Sequence, residues 1–338
     1  MIPKGISLPF AFMLNFTRMK KLLVIVGPTG TGKTALGIEL AKKFNGEVVS
    51  ADSRQVYVGM DVGTGKSPQR QKAKGKRQNI QREKGRWVVD GIPIHLYDLI
   101  TPDKTFSVAE YQQVAYKIID EIYQRDKLPI IVGGTGLYVQ AVVEGLKIPK
   151  VAPDKNLRAH LEAQPLDTLV KELEKVDPAT ASRIDRQNPR RIIRALEVYH
   201  QTGEPFSKLK GKFKVDFDSL QIGLNASREY LYERLDDRVE DWFKTGFVEE
   251  VKRLLEKGYR ENLPAMTSLG YRQAAMYLAG KISLEEAKQR IKWEHHAFVR
   301  RQMTWFRRGS KIIWLSIEEA GFEKEAYQTV ARWLSSEI

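Results

Sequence analysis

The chain has no cysteine, which excludes disulfides, thiolate metal sites and thiol nucleophiles. Its five histidines are scattered through 338 residues, and no zinc-type spacing occurs among them. Nor is there a run of about eighteen apolar residues, so no stretch reads as a membrane-spanning helix. Acidic residues are also in deficit, with 42 Asp and Glu against 56 Lys and Arg, leaving a net charge of +14. An excess of that size favours a polyanionic partner, nucleic acid first and anionic membrane second. What remains is an ordinary apolar content of 42% and ample length for a real core in one large or two ordinary domains. Residues 1–18 look loosely like a signal peptide but lack a small-residue cleavage site and run straight into the first core strand. We expect them to be a disordered extension, Met19 to be the natural start, and the cytoplasm to be the compartment.

Against these absences stands one dense stretch, LLVIVGPTGTGKT at Leu22–Thr34. The apolar run Leu22–Val26 reads as a buried strand, and the periodic residues from Ala35 to Phe44 read as a helix. Between them, Gly27 to Thr34 fits G-x-x-x-x-G-K-[ST] at every position, in the strand–turn–helix context that this phosphate loop requires. Gly27, Gly30 and Gly32 let the N–H groups from Thr29 to Thr34 point inward and form an anion nest on a positive helix N-terminus. Lys33 adds a point charge, Thr31 lies within the nest, and the Thr34 hydroxyl is placed to ligate a phosphate-bound Mg²⁺. A dinucleotide fingerprint overlaps the motif (Gly30, Gly32 and Ala35, with Asp52 further on), but the Lys33–Thr34 pair and Gly27 favour a di- or triphosphate.

The rest of the chain reads as an α/β fold with a P-loop NTPase-like core, a mainly parallel sheet flanked by helices, and a small all-helical insertion. We expect the core at 19–146 and 215–338 and the insertion at 147–214. A short strand at Glu47–Ser50 leads to Asp52 and Ser53, which either face the phosphate loop or form a simple turn. From Lys66 to Arg86 nine basic residues meet one acid, Glu83, with no apolar period, and this reads as a mobile basic loop. Asp90–Gly91 marks a hairpin. Ser107 to Glu110 and Ser283 to Glu286 are capping boxes. Leu128–Val132 is a buried strand that ends in a second Gly-rich turn, Gly133 to Gly136. Asn188–Pro189 opens a helix with Arg190, Arg191 and Arg194, either a salt-bridged surface or a phosphate-binding face. In the last long helix, basic residues interleave with aromatics; Phe298 and Trp305 are assigned to packing and Arg300 and Arg301 to RNA.

Taken in order, GPTGTGKT (27–34), ADSRQVY (51–57), GTGK (63–66), GGTGLY (133–138), NPRRIIRALEVY (188–199), SREYLYERLDDR (227–238), SLGYRQ (268–273) and RRQMTWFRR (300–308) resemble one family, the tRNA dimethylallyltransferases. Between Lys66 and His95 the chain is longer and more basic than is usual for that family. The resemblance implies transfer of a dimethylallyl group from dimethylallyl diphosphate to N6 of adenosine 37 of a tRNA, with Mg²⁺ as cofactor, the anticodon stem-loop as partner and a monomeric enzyme. It implies catalytic roles for Asp52, Thr29 and Lys33, with Asp52 accepting the N6 proton, and diphosphate contacts from Gly27, Thr29, Gly30, Thr31, Gly32, Lys33, Thr34 and Arg228. On the tRNA side it implies Asp52, Ser53, Arg54, Gln55, Thr135, Arg190, Arg191, Arg194, Gly270, Tyr271, Arg272, Arg300 and Arg301. Two alternatives share the phosphate loop: a small-molecule or nucleotide kinase, and a non-catalytic RNA-binding NTPase switch. The basic balance and the arginine helix speak against the first, and the lack of an N-K-x-D string weakens a GTPase version of the second. The motif alone does not separate a nucleotide such as ATP from a prenyl diphosphate.

Overall fold

Side-chain alternation along the first strand, β1 (Lys20–Val26), decides the architecture. Leu22, Val24 and Val26 enter one apolar cluster, Leu23 and Ile25 enter another, and all five are fully buried. A strand buried on both faces belongs inside an α/β sandwich. The computed structural model describes residues 19–66, 79–309 and 311–336; the expected extension 1–18 lies outside these residues.

The other strands are β2 (Gly46–Ser50), β3 (Ile80–Glu83), β4 (Gly85–Val89), β5 (Ile92–Tyr97), β6 (Leu128–Val132), β7 (Leu146–Lys147), β8 (Gly211–Lys212), β9 (Phe217–Asn225) and β10 (Ile312–Ser316). Eight of the ten form one sheet in the order β10-β9-β1-β6-β2-β5-β4-β3. Pairing is parallel from β10 to β5, and β4 and β3 add an antiparallel edge. Helices α1 (Lys33–Lys43), α2 (Val108–Gln124) and α3 (Gly136–Val143) connect the strands of the first half. The Ser107 capping box starts α2 as expected, its hydroxyl accepting from Glu110 N–H while the Glu110 carboxylate accepts from Ser107 N–H.

Two helical excursions leave the sheet. The first holds α4 (Lys155–Glu162), α5 (Leu166–Val176), α6 (Pro178–Ala181), α7 (Pro189–Thr202) and α8 (Phe206–Leu209). These helices pack around their own cluster of Leu161, Leu169, Leu173, Ile192, Ile193 and Leu196, and the two-stranded ribbon β7–β8 closes the base. The second separates β9 from β10 and is not apparent as a layer in the sequence. It comprises α9 (Arg228–Lys244), α10 (Phe247–Glu256), α11 (Tyr271–Leu278) and α12 (Leu284–Phe306), packed with Val56, Tyr57 and Met60. The final helix, α13 (Phe322–Ser335), returns to the sheet and buries Ala326 and Val330 beside α1.

The basic segment departs from expectation. Residues 67–78 lie outside the described residues, but β3 and β4 pair as an ordered hairpin rather than a loop. Lys66, expected to belong to a solvated charge run, is only 1% exposed. Its ammonium donates to the Tyr57 carbonyl at 2.6 Å and pairs with Asp98 at 2.5 Å and Asp61 at 3.0 Å. Arg82 lies 4.2 Å from the Trp87 ring and pairs with Asp61 at 2.9 Å. Lys66 and Arg82 are therefore anchored to partners inside the protein.

Candidate active site

Three adjacent strands, β1, β6 and β2, end on the same rim, and each hands over to a motif. Gly27–Lys33 follows β1, Gly133–Gly136 follows β6 and Ala51–Gln55 follows β2. Backbone bonds tie these turns together: Gly133 N–H donates to the Ile25 carbonyl, Ala51 N–H to Val132, and Thr135 N–H to Ala51. The Thr135 hydroxyl then accepts from Ser53 N–H at 3.0 Å. The carboxyl rim of an open α/β sheet is the expected place for a ligand.

The phosphate loop takes the conformation that its glycines permit. Gly27 has φ +138°, and a Cβ there would collide with the Leu224 carbonyl of β9. Gly32 is left-handed at φ +82° immediately before the first residue of α1. The Thr31 hydroxyl donates to the Pro28 carbonyl at 3.0 Å, and the Lys33 ammonium folds back to the same carbonyl at 2.6 Å. Burial pushes the Lys33 ammonium down to about 7 against the pull of the Asp52 charge, with Arg238 lowering it further. Burial also raises the Asp52 carboxyl, opposed by the Arg54 N–H and by the charge of Lys33. The Arg54 N–H donates to Asp52 Oδ1 at 2.8 Å. Burial raises the Tyr97 hydroxyl, whose neighbours include the Asp52 charge and the Thr34 side chain.

Sequence reasoning missed Arg238. Its guanidinium donates to the Thr29 hydroxyl at 3.3 Å, and burial, aided by Arg234, lowers it to about 10. Among the described residues it has no ion-pair partner. The signal for it is helical spacing: Leu231 and Leu235 support Gly30 of the loop, and Arg238 falls on the same face of α9. Arg228 lies almost three turns earlier, about 15 Å along the axis, exposed in the first turn of α9. A second unanticipated residue, Gln302, accepts from Thr29 N–H at 2.9 Å and donates to the Gly134 carbonyl at 3.0 Å.

The residues expected to meet RNA divide. Arg190, Arg191, Arg272, Arg300 and Arg301 are exposed. Arg300 donates to the Tyr232 hydroxyl at 2.9 Å, and the Tyr232 ring stacks on His296 at 3.9 Å. Arg301 lies 5.8 Å from the Phe298 ring, and Arg54 reaches the Pro264 carbonyl at 2.7 Å. Others face inward. Arg194 donates to Glu197 at 2.6 Å and to the Val151 carbonyl at 3.0 Å. Gln55 is buried between the Ser50 hydroxyl and the Thr64 carbonyl. Tyr271 is fully buried and donates to Glu250 at 2.6 Å. Gly270 precedes it at φ +88°, turning the chain into α11. Arg194, Gln55 and Tyr271, expected on the RNA side, thus each have a partner inside the protein, closing a hydrogen bond that packing would otherwise leave unmet.

An Mg²⁺ ion fits this rim only in company with a phosphate. No group of three or more His, Cys, Asp or Glu able to hold a metal occurs among the described residues. A single hydroxyl ligand such as that of Thr34 matches an ion that keeps its waters and takes its remaining ligands from a substrate's phosphates.

Comparison with known proteins agrees with this geometry. A family profile described as IPP transferase matches residues 55–309. The chain is 43% identical over 322 residues to a tRNA dimethylallyltransferase of Roseiflexus sp. strain RS-1, covering 94% of this chain and all of that one. It is 42% identical to one from Thermomicrobium roseum, covering 95% and 93%. Among solved structures it resembles the full-length tRNA isopentenylpyrophosphate transferase of Bacillus halodurans, with 36% identity, a TM-score of 0.65, and coverage of 93% and 96%. It also resembles a eukaryotic dimethylallyltransferase described as acting on tRNA, with 27% identity, a TM-score of 0.75, and coverage of 94% and 80%.

Proposed function

The chain belongs to the IPP transferase family, and from that premise we propose that it transfers a dimethylallyl group from dimethylallyl diphosphate to N6 of adenosine 37 in tRNA. The observation that carries this reading is a pair of cations held at the phosphate loop, Lys33 folded onto the Pro28 carbonyl at 2.6 Å and Arg238 reaching from α9 to the Thr29 hydroxyl at 3.3 Å, with Asp52 facing Lys33 from the next strand end but one. A diphosphate satisfies both cations. A carboxylate opposite them suits a proton-bearing nucleophile.

In the reaction the C1–O bond of the donor breaks and its electron pair leaves on diphosphate, while a bond forms between C1 and N6. Charge grows on the leaving oxygen, and preorganised donors aimed there are worth most at that moment. The loop N–H groups beyond Thr29, whose own N–H is taken by Gln302, supply them with Lys33 and Arg238, and Thr34 would hold Mg²⁺, which neutralises diphosphate charge when bound. The exocyclic amine of adenine is a weak nucleophile, and loss of its proton to Asp52 relieves the positive charge that C–N bond formation creates. Burial makes that carboxylate more basic than usual, which improves it as an acceptor. The target base must leave its stack to reach this rim. Exposed Arg190, Arg191, Arg272, Arg300 and Arg301 are suited to the phosphate backbone of the anticodon arm.

The test is direct. Protein, Mg²⁺, unmodified tRNA and dimethylallyl diphosphate should yield prenylated adenosine without ATP; ATP turnover in place of prenylation would overturn the reading. Asp52→Asn should bind both substrates and lose about 10²–10⁴-fold in single-turnover rate. A defect repaired by excess Mg²⁺ would assign Asp52 to the metal instead.

A further inference from the structure

Gln302 lies in α12 between the two glycine-rich turns and is only 6% exposed. Its Oε1 accepts from Thr29 N–H at 2.9 Å and its Nε2 donates to the Gly134 carbonyl at 3.0 Å. Only one orientation of the amide satisfies both partners, because an N–H requires the oxygen and a carbonyl requires the nitrogen. The second turn is shaped around this side chain. A Cβ at Gly134 would overlap the Gln302 amide nitrogen, so glycine there gives the amide its room.

The two turns serve opposite sides of the proposed reaction. Thr29 belongs to the loop that receives the leaving group. Gly134 leads to Thr135, whose hydroxyl accepts from Ser53 N–H at 3.0 Å, beside Asp52. A continuous path therefore runs from the donor loop through Gln302, Gly134, Thr135 and Ser53 to the base. Two exposed arginines, Arg300 and Arg301, precede Gln302 on the same helix turn.

We infer that Gln302 is a positioning residue that fixes the distance between the diphosphate loop and the Asp52 side of the cleft. The inference rests on the transferase reading above. Both ends of the Gln302 amide are committed to the protein itself, at Thr29 and Gly134. Its effect is on geometry, and misplacement of about 1 Å at a reacting centre costs on the order of 10²-fold in rate. When the acceptor amine stands too far from C1, water competes for the same carbon. A water oxygen then bonds to C1, the C1–O bond to diphosphate breaks, the electron pair leaves on diphosphate, and the water loses a proton, giving dimethylallyl alcohol.

The measurement is the ratio of dimethylallyl alcohol to prenylated adenosine formed by the full chain with tRNA, dimethylallyl diphosphate and Mg²⁺. This ratio does not depend on how much of a variant is folded. Gln302→Met keeps the length and loses both hydrogen bonds; Gln302→Glu keeps the acceptor for Thr29 and loses the donor to Gly134. Both should raise the ratio about tenfold or more, while Kd values for tRNA and for inorganic diphosphate stay within about threefold, as a change of geometry rather than of ligand contacts requires. Gly134→Ala, which presses on the same amide from the other side, should raise the ratio as well. A ratio equal to that of the wild type in the variants that fold would overturn the inference, whatever happens to their melting temperatures. Absence of prenylated adenosine from the wild type would instead overturn the transferase reading.

Discussion

Arg194 and Arg238 look alike in the sequence, each inside a long helix and each within an arginine-bearing motif, and the fold uses them in opposite ways. Arg194 sits three residues before Glu197, a fully buried carboxylate that also accepts from Arg158 and from Asp154 N–H. Burial alone would raise Glu197; its hydrogen bonds to Arg158 and Arg194 hold it below the usual range. Arg238 is desolvated too, but the charge that acts on it is another cation, Arg234. A buried charge with its counter-ion inside the chain holds helices together. A half-buried charge without one is a place for an anion from outside.

Removing each arginine should sharpen the contrast. Arg238→Ala is expected to lower kcat/KM about 10²–10³-fold, the scale of one lost oxyanion-type donor, with no loss of melting temperature. Steady-state kinetics beside a thermal melt check this; unchanged kinetics would detach Arg238 from the donor site. Arg194→Ala should show the reverse pattern. Loss of its bonds to Glu197 and Val151 is expected to destabilise the chain by about 2 kcal/mol, read by denaturant unfolding, with kcat per folded molecule unchanged. A tRNA-specific rise in KM without destabilisation would return Arg194 to the RNA surface.

The smallest expected effect concerns Lys33 and pH. In the free protein its ammonium sits at about 7, so above that pH it is largely neutral. A bound diphosphate raises it, and binding then draws a proton from solvent. Affinity should fall as pH rises from about 7, and at pH 8.5 uptake should approach one proton. Calorimetry in buffers of different ionisation enthalpy measures this, and Lys33→Met should take up none. Persistent uptake in that variant would place the titrating group elsewhere.

The contrast between the arginines also marks how far the sequence can be read. Local chemistry is legible: Gly27 and Gly32 mark backbone shapes that other residues adopt at a cost, and Ser107 with Glu110 defines a helix start within four residues. The parallel core is legible because Leu22–Val26 of β1 and Leu128–Val132 of β6 carry no polar residue. Partnership is not. The spacing of Arg190 and Arg194 puts them on one side of α7, but nothing local says that Glu197 is buried beside it. The order of β3 is hidden for the same reason. Three of its four residues are exposed, and it is set by pairing with β4 and by the stacking of Arg82 on Trp87. Lys66 reads as part of a charge run until the fold brings up Asp98 from beyond the hairpin. Arg238 and Gln302 stand in plain view within the family's motifs, yet each acts across a gap that only tertiary structure closes.

The contact between Gly27 and Leu224 has a consequence for the order of synthesis. β1 is flanked by β6 on one side and by β9 on the other, and β9 leaves the ribosome only after the whole first helical excursion. Until then β1 presents an open edge inside what will become the core, a state prone to wrong pairing and to capture by chaperones. The phosphate loop lacks the wall against which Gly27 rests during the same interval. A nascent chain ending before Phe217 would carry the whole of GPTGTGKT and still have no finished pocket for a diphosphate.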